Sequence, residues 1–496
     1  MTPEQLRNSI LQYAMEGKLT KQNSLDETAL ETLSYIKDEK QQLLKQKKIK
    51  KEKYSSSIEN DIIVPMGWEI VKIGDLSSVV TKQTGFDYSK TIKPNLKTYK
   101  TRDDIPLIQT KHFKGKNFNL ETDYYISYSI ATNFPKILLD SECLLLSIVG
   151  ASIGNIGLYN YSESAIIGGA ICKVKLIDER LYDFLFYYLQ SPYGQQEIKK
   201  NMKATAQGTI TVQDVREIIV RFPPVEEQKE IVNIIEKLLP LVNEYEKIWN
   251  KLEALNKKFP SDMKNSILQY AFEGKLVEQR AEEGTAEELY QQIQEEKLNL
   301  IKEGKIKKEK ALPEITEDEI PFDIPDSWKW IRLKEIVYNH GQKSPEKTFS
   351  YIDIGSINNK VQRLSEEENI VEAEKAPSRA RKIVKYGDII YSTVRPYLHN
   401  ICIIDKEFTC EPIASTGFAV MSCYRSVYNK FLFYYLLSDS FDRYANSNEN
   451  AKGVAYPAIN DKKLYKACVP LPPLEEQKRI VAKIEELLPL CDALNL

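Results

Sequence analysis

The block NSILQYAMEGKL from Asn8 to Leu19 returns as NSILQYAFEGKL from Asn265 to Leu276, with Met15 against Phe272 as the only difference. A second pair repeats at a similar distance: PPVEEQKEIVNIIEKLLPL from Pro223 to Leu241 returns as PPLEEQKRIVAKIEELLPL from Pro472 to Leu490. An internal repeat constrains architecture before any local pattern does. Its period is half of a 496-residue chain, far longer than a solenoid unit, so the chain is two fused copies of one domain-sized module. Between the repeated blocks, Trp68 to Arg221 and Trp328 to Val469 share only fragments such as FLFYYL at Phe184 and Phe431. A repeated frame with two divergent inserts is the pattern of a scaffold presenting two different recognition surfaces.

The PP[VL]EEQK block starts a helix, because Pro224 and Pro473 suit a first turn and the glutamates after them complement the positive helix N-terminus. Ile231, Ile235, Leu238, Val242, Tyr245, Trp249 and Leu252 then step by heptads, as do Ile480, Ile484, Leu487, Cys491 and Leu494. Heptad spacing predicts a coiled-coil seam, with each helix the natural partner of its duplicate. Pro240 and Pro489 interrupt the two copies at equivalent places and predict a bend or local loosening. From Val225 to Lys258 the helix would reach roughly 50 Å at ~1.5 Å per residue. The mid-chain helix runs on into the second NSILQYA block, whereas its C-terminal duplicate ends at Leu496, so a circular pseudo-symmetry with Met1 near Leu496 is expected. Each NSILQYA block leads to a polar helix and a charged stretch, KKIKKEK (Lys47 to Lys53) or GKIKKEK (Gly304 to Lys310). These are solvated linkers or contacts to a partner protein or to phosphates.

The chain has room for two to four domains, each with a core. With 42% apolar and 28% charged residues it has the composition of a soluble globular protein. No apolar run approaches the roughly 20 residues of a membrane span, and the first residues are amphipathic without the apolar stretch of a signal peptide. Seven cysteines without a C-x-x-C pair read as reduced thiols of a cytoplasmic protein. Three histidines, His112, His340 and His399, argue against a zinc site. The net charge of -2 conceals a segregation: Thr81 to Leu120 holds nine Lys/Arg against three Asp, and Lys375 to Arg395 holds six against one. Acidic residues concentrate in the helical blocks, and basic stretches of this kind suit a polyanion or are merely solvated faces.

Both inserts open on a Trp after a proline (PMGWEIVKIGDL, PDSWKWIRLKEI) and continue into short strands with Gly, Asn and Asp turns, as in CLLLSIVGASIGNIGLY and YGDIIYSTVRPYLHNICII. Each ends on an aromatic helix suited to a core and a loop with Gly, Thr and Tyr (KATAQGTITVQ, NAKGVAYPAIN). The loops and basic stretches offer Arg and Lys to guanine or phosphate, Asn and Gln to adenine, and Ser and Thr to either. In the first insert the candidate contacts are Arg102, Lys111, His112, Lys114, Lys116, Ser147, Ser152, Asn155, Thr205, Gln207 and Thr209. In the second they are Ser378, Arg379, Arg381, Lys382, Ser392, Thr393, Arg395, Asn400, Lys452 and Tyr456.

The duplicated PPLEEQK helix, the NSILQYAxEGKL block after a heptad helix, and two dissimilar inserts each headed by a Trp and carrying a GD-strand-S-T-V-R-type hairpin together resemble the specificity subunit of a type I restriction-modification enzyme. The resemblance covers essentially the whole chain; the first insert departs from it, with SIVGASIGNIG in place of STVRPYLHN. It implies an α+β fold: two mixed α/β target recognition domains separated by two long helices forming an antiparallel coiled coil, in a circular pseudo-two-fold arrangement. The implied divisions are an N-terminal helical region (1–64), recognition domain 1 (65–222), a central helical region (223–324), recognition domain 2 (325–470) and a distal helix (471–496). Each recognition domain would read one half of a bipartite double-stranded DNA target. The helices would set the spacer and dock two methyltransferase subunits, with motor-nuclease restriction subunits joining for restriction. S-adenosylmethionine, ATP and Mg are then expected on those partners and none on this chain.

The residues agree with a non-catalytic chain. The PP pairs follow Phe222 and Leu471 at helix starts and not the [ND] of an adenine methyltransferase motif, and Gly17-Lys18 and Gly274-Lys275 are followed by Leu, so no P-loop is present. Two other classes stay open on residues alone: a coiled-coil scaffold bridging two proteins, and an enzyme built from scattered Asp, Glu and Lys.

Overall fold

The computed structural model describes residues 1–21, 28–51, 62–113, 116, 120–200, 202, 208–308, 310–453 and 456–494. The chain divides into two compact units, Met1–Leu252 and Glu253–Leu496. Each is a complete copy in the same linear order: NSILQYA helix, polar helix, recognition domain, PPxEEQK helix. The division falls inside one 48-residue helix, Val225–Phe272, which runs unbroken through Pro240, as the C-terminal helix Leu474–Asp492 runs through Pro489. Neither proline ends its helix. Both helices start one residue later than the prolines suggested: Pro224 and Pro473 accept the first backbone bonds, from Gln228 and Gln477, at 2.9 Å each.

The repeated NSILQYAxEGKL block is explained by its end. In unit 1 helix Pro3–Met15 closes at Gly17 (φ +65°), with Lys18 N–H donating to Tyr13 O at 3.0 Å; in unit 2 Gly274 (φ +69°) and the Lys275-to-Tyr270 bond at 2.8 Å do the same. A left-handed residue after the last turn is what favours glycine there. Gln12 and Lys18 both reach Glu16, as Gln269 and Lys275 both reach Glu273.

The two inserts, so unlike in sequence, have one topology. In unit 1 an antiparallel sheet runs Ser77–Lys82, Ile171–Leu176, Cys143–Ser147, Ile156–Tyr159, and a second runs Tyr125–Ser127, Asp104–Ile108, Ala165–Ile167, Leu138–Leu139. In unit 2 the corresponding orders are Val337–Tyr338, Phe418–Cys423, Ile389–Ser392, Ile401–Ile403 and Ile370–Val371, Phe349–Ile352, Glu411–Ser415, Ala380–Ile383. Each second sheet contains one parallel pair, at the same place in the order. Central strands such as Cys143–Ser147 are buried throughout, which is why they read as continuous apolar runs.

A small antiparallel pair closes each insert: Glu69–Lys72 on Ile219–Phe222 and Lys329–Arg332 on Cys468–Leu471. The aromatic helices Tyr182–Gln190 and Asn429–Leu436 are core, as their sequence implied. Ile231 and Ile235 join the core of unit 1, with Leu11, Ala14 and Met15, and Ile480 and Ile484 join that of unit 2, with Leu268, Ala271 and Phe272. These four seam positions are thus filled from within their own unit and do not need the duplicate helix that the heptads suggested. Val242 and Cys491 are also buried; Leu238, Tyr245, Trp249 and Leu487 are half-buried, and Leu252 and Leu494 exposed.

One hydrogen bond joins insert to frame in both units. Trp68 Nε1 donates to Glu227 Oε2 at 2.8 Å, and Trp328 Nε1 to Glu476 Oε2 at 3.1 Å. Glu476 is 1% exposed, and burial pushes its carboxyl above the ordinary range, against the pull of Trp328 and Gln279. Glu227 is only half-buried. Replacing Trp328 by Phe leaves a buried acceptor one donor short, at a cost of ~1–3 kcal/mol. Trp68→Phe is expected to cost less, because water reaches Glu227. Urea denaturation of the two single variants compares them; equal losses would show that burial of the glutamate is not what matters.

Candidate nucleic-acid interface

At one end of each pair of sheets the central strand runs into a loop that sequence comparison hardly aligns, SIVGASIGN in unit 1 and STVRPYLHN in unit 2, yet the backbone is the same. Ser147 N–H donates to Asn155 O and Ser392 N–H to Asn400 O, both at 2.9 Å. Ile148 donates to Ala170 O and Thr393 to Gly417 O, again at 2.9 Å. The late loop of each insert closes on this one: Gly150 N to Gly208 O (3.0 Å) and Ile210 N to Ile148 O (3.1 Å), matched by Arg395 N to Pro457 O (2.7 Å) and Ile459 N to Thr393 O (3.0 Å). A 3-10 turn fills each loop, Gly150–Ser152 or Pro396–Leu398.

The turn needs a left-handed residue on either side. Unit 1 uses Gly150 (φ +77°) and Gly154 (φ +91°); unit 2 uses Arg395 (φ +51°) and His399 (φ +50°). A non-glycine residue there costs roughly 1–2 kcal/mol, and strain of this kind concentrates at functional sites. Both side chains are held. The Arg395 guanidinium lies 4.2 Å over the Tyr456 ring. His399 Nε2 sits 2.9 Å from Asp442 Oδ1, and Asn446 bridges Asp442 to the Tyr397 backbone N–H. Tyr397, Leu398 and Tyr456 consequently stand in solvent at 49%, 38% and 67% exposure.

The remaining candidates separate by burial. Ser147, Ser392, Thr393 and Asn400 are buried, and the hydroxyls are spent inside the loop: Ser147 Oγ lies 2.8 Å from Ser152 Oγ, Ser392 donates to Val394 O at 2.9 Å, and Thr393 to Gly417 O at 3.0 Å. The three hydroxyls thus brace the loop from inside. Lys116 pairs with Asp183 at 2.7 Å and Glu236 at 2.5 Å, tying its segment to the aromatic helix and the frame helix. Lys111 pairs with Asp123, and His112 Nδ1 accepts from Gln109 N–H at 3.0 Å. Lys382 is tied to Asp461 at 3.4 Å and has only 12% of its side chain exposed. Arg102 precedes strand Asp104–Ile108, whereas the loop cluster lies beyond that strand's other end, where Gly168 N–H bonds to Ile108 O; the fold does not bring it to the cluster. Lys114, Thr205 and Gln207 lie outside the described residues.

What does gather in unit 2 is one rim. Arg379, exposed, accepts from Thr416 N–H through its carbonyl; the adjoining Gly417 holds Thr393; Arg395 holds Pro457; and Lys452 pairs across its hairpin with Ala458. Ser378 and Arg381 flank it, with Arg381 Nη1 on Ser344 Oγ at 2.5 Å. In unit 1 the half-buried Ser152 and Thr209 and the exposed Asn155 occupy the corresponding place. Two exposed side chains of the rim, Tyr397 and Leu398, were missed in the sequence; an aromatic-aliphatic pair in a turn after an arginine was the available signal. Among the described residues no group of His, Cys, Asp and Glu gathers as a metal site would.

Two copies of one sandwich-like domain, each ending in a loop rim of different side chains on the same backbone, define a duplicated recognition protein. The chain belongs to the family described as type I restriction modification DNA specificity domain, whose model matches residues 65–257 and 325–495. It is similar to the type I restriction enzyme EcoAI specificity subunit of Escherichia coli, 26% identical over 99% of this chain and 90% of that one, and to the EcoEI specificity subunit, 25% identical over the same shares. Among solved structures, the HsdS subunit from Thermoanaerobacter tengcongensis is similar at 20% identity and a TM-score of 0.45, covering 88% of this chain and 93% of its own.

The shared backbone makes a stability test possible without DNA. A Cβ at Gly150 meets nothing within 4 Å, so Gly150→Ala pays only for its positive φ, ~1–2 kcal/mol. Arg395→Gly relieves a similar strain and gives up a cation-π contact of ~0.5–1 kcal/mol, so its net effect should stay within about 1 kcal/mol. Equilibrium denaturation measures both; a large loss at Arg395→Gly would make this arginine a structural residue.

Proposed function

We propose that the chain is the non-catalytic DNA sequence-recognition subunit of a type I restriction-modification complex, in which each recognition domain reads one half of a bipartite, asymmetric target. The observation that carries this reading is the pair of loop rims: one backbone, built twice, presenting Gly150, Ser152, Asn155 and Thr209 in one copy and Arg395, Tyr397, Lys452 and Tyr456 in the other. A duplicated scaffold with different side chains at the same place is what reading two different half-sites requires, since side chains specify bases and the backbone frame only positions them.

Methylation and ATP-driven cleavage then belong to partners: two methyltransferase subunits, and motor-nuclease subunits for restriction, with S-adenosylmethionine, ATP and Mg bound there. The repeated helices supply two equivalent docking places for two copies of one partner. Support comes from their surface: Tyr13 and Tyr270 are identical in the two copies and 52% and 55% exposed, where packing does not demand identity. Through the seam positions that the unit cores leave over, Leu238, Tyr245, Trp249 and Leu487, the frame helices would pair as an antiparallel coiled coil in a circular pseudo-two-fold arrangement and hold the half-sites apart. The described helices include none long and apolar enough to cross a membrane, which suits a protein working on cytoplasmic DNA.

The decisive experiment exchanges residues 68–221 for the insert of a relative, co-expresses the chimera with a modification subunit, and maps methylated adenines. One half of the target should change while the other half and the spacing persist; a simultaneous change of both halves would refute two separate readers. Purified alone, the chain should methylate nothing.

A ruler function is tested by inserting one heptad after Leu252. It keeps the seam in register and moves one reader by about 10 Å at ~1.5 Å per residue, so the spacer should lengthen by a few base pairs. Two inserted residues rotate one reader against the other by roughly 200° and should abolish methylation of the original target. An intact protein with unchanged spacing after the heptad insertion would place the ruler in the partner subunits.

A further inference from the structure

Unit 2 contains a cavity of about 630 Å³ between helix Ala286–Lys302, the stretch after it and the short helix Asp461–Leu464. Small-molecule sites occupy roughly 300–1,000 Å³. Six lysines line it, Lys297, Lys305, Lys307, Lys334, Lys462 and Lys466, against a single carboxylate, Asp461. That aspartate already faces Lys382 at 3.4 Å. Lys305 meets Glu303 at 2.7 Å, while Lys297, Lys307, Lys462 and Lys466 have no ion pair among the described residues. Like charges gathered around one concavity repel each other, and an anion at the centre removes that cost. The floor is of another kind: Val337 and Tyr424 are 4% and 2% exposed, and the Tyr338 ring lies 5.3 Å from that of Tyr424.

Three of these cations belong to one copy only, whereas Lys297, Lys305 and Lys307 recur in unit 1 as Lys40, Lys48 and Lys50. The registers of Glu69 with Phe222 and Lys329 with Leu471 align Lys334 with Gly74, Lys462 with Gln213 and Lys466 with Glu217. Unit 1 thus has no charge, no charge and a negative charge at the three positions, and its Glu217 is committed to Lys72 at 2.6 Å. A surface serving only the repeated frame would recur whole in both units, and the cluster of six does not. A duplex could touch the rim of this cavity but could not reach Val337 or Tyr424.

We propose that the cavity binds a small phosphate-bearing anion with an aromatic body, of the nucleoside polyphosphate class, its phosphates on the lysines and its ring on the Tyr338 and Val337 floor. The site goes beyond the DNA-reading role and does not depend on it. Isothermal titration of the full chain with inorganic triphosphate and with ATP, in the absence of DNA, tests it. Both should bind once per chain, ATP the more tightly, and triphosphate should raise the unfolding temperature. Lys462→Gln with Lys466→Glu, which installs the residues of unit 1, should weaken both at least tenfold and abolish the temperature shift. Lys307→Ala, an exposed change with no ion pair to disturb among the described residues, should weaken them several-fold and guards against misfolding of the double variant. The proposal is overturned if millimolar triphosphate neither binds nor stabilises, if ATP binds no better than triphosphate, or if the variants bind as the parent does. It is equally overturned if the variants lose only salt-sensitive affinity for non-target duplex DNA, which would make these lysines backbone contacts. Failure of DNA reading in the assembled complex would leave the titration unchanged, so the two readings fail separately.

Discussion

Everything that faces outward in this chain depends on an indole N–H buried against a helix N-terminus. Trp68 and Trp328 open their inserts and donate to Glu227 and Glu476, the second glutamate of each PPxEEQK helix. The following glutamine turns back on its own start, Gln228 to Pro223 O at 2.8 Å and Gln477 to Pro472 O at 2.9 Å. Thr20 and Gln279, just past each NSILQYA block, bond the other oxygen of the same glutamates. One carboxylate thereby fixes three chain segments, and in unit 2, where Glu476 is buried, such an acceptor is costly to leave unmade.

The frame then tolerates divergence, because little of the insert needs to be the same to build the same sheets. Strands require burial and alternation, which many apolar sequences satisfy. The loop rims follow the same rule. Their closure is made by backbone groups, with Gly150 and Gly154 or Arg395 and His399 in the left-handed positions. A frame held by the main chain leaves its side chains to be chosen for what they touch. The cost of a left-handed arginine is accepted in one copy and avoided in the other, and that difference is what two readers of different sequences would need.

Much of this was legible. The duplication, the frame helices, the aromatic core helices and the placing of both rims on a strand-loop were visible as repeats, periodicity and turn residues. At Pro240 the helix continues, because a proline removes one backbone bond and a long packed helix can absorb that loss. The heptads were legible as a seam, but Ile231, Ile235, Ile480 and Ile484 spend it on the cores of their own units.

The sequence by itself determined the duplication, the domain order and the chemistry available at the rims, since these are properties of neighbours along the chain. Only the tertiary structure decided which of the candidate side chains face solvent. Ser392 and Thr393 are buried and Arg395 is held over Tyr456 because distant segments, Thr416-Gly417 and Pro457, close on their backbone. Lys116 is lost to Asp183 and Glu236 for the same reason. The common topology of two unlike inserts was equally out of reach, because hydrogen bonds between main-chain groups set it and leave no mark in the letters. Burial and charge pairing are relations between residues remote in the chain, and periodicity carries no information about them.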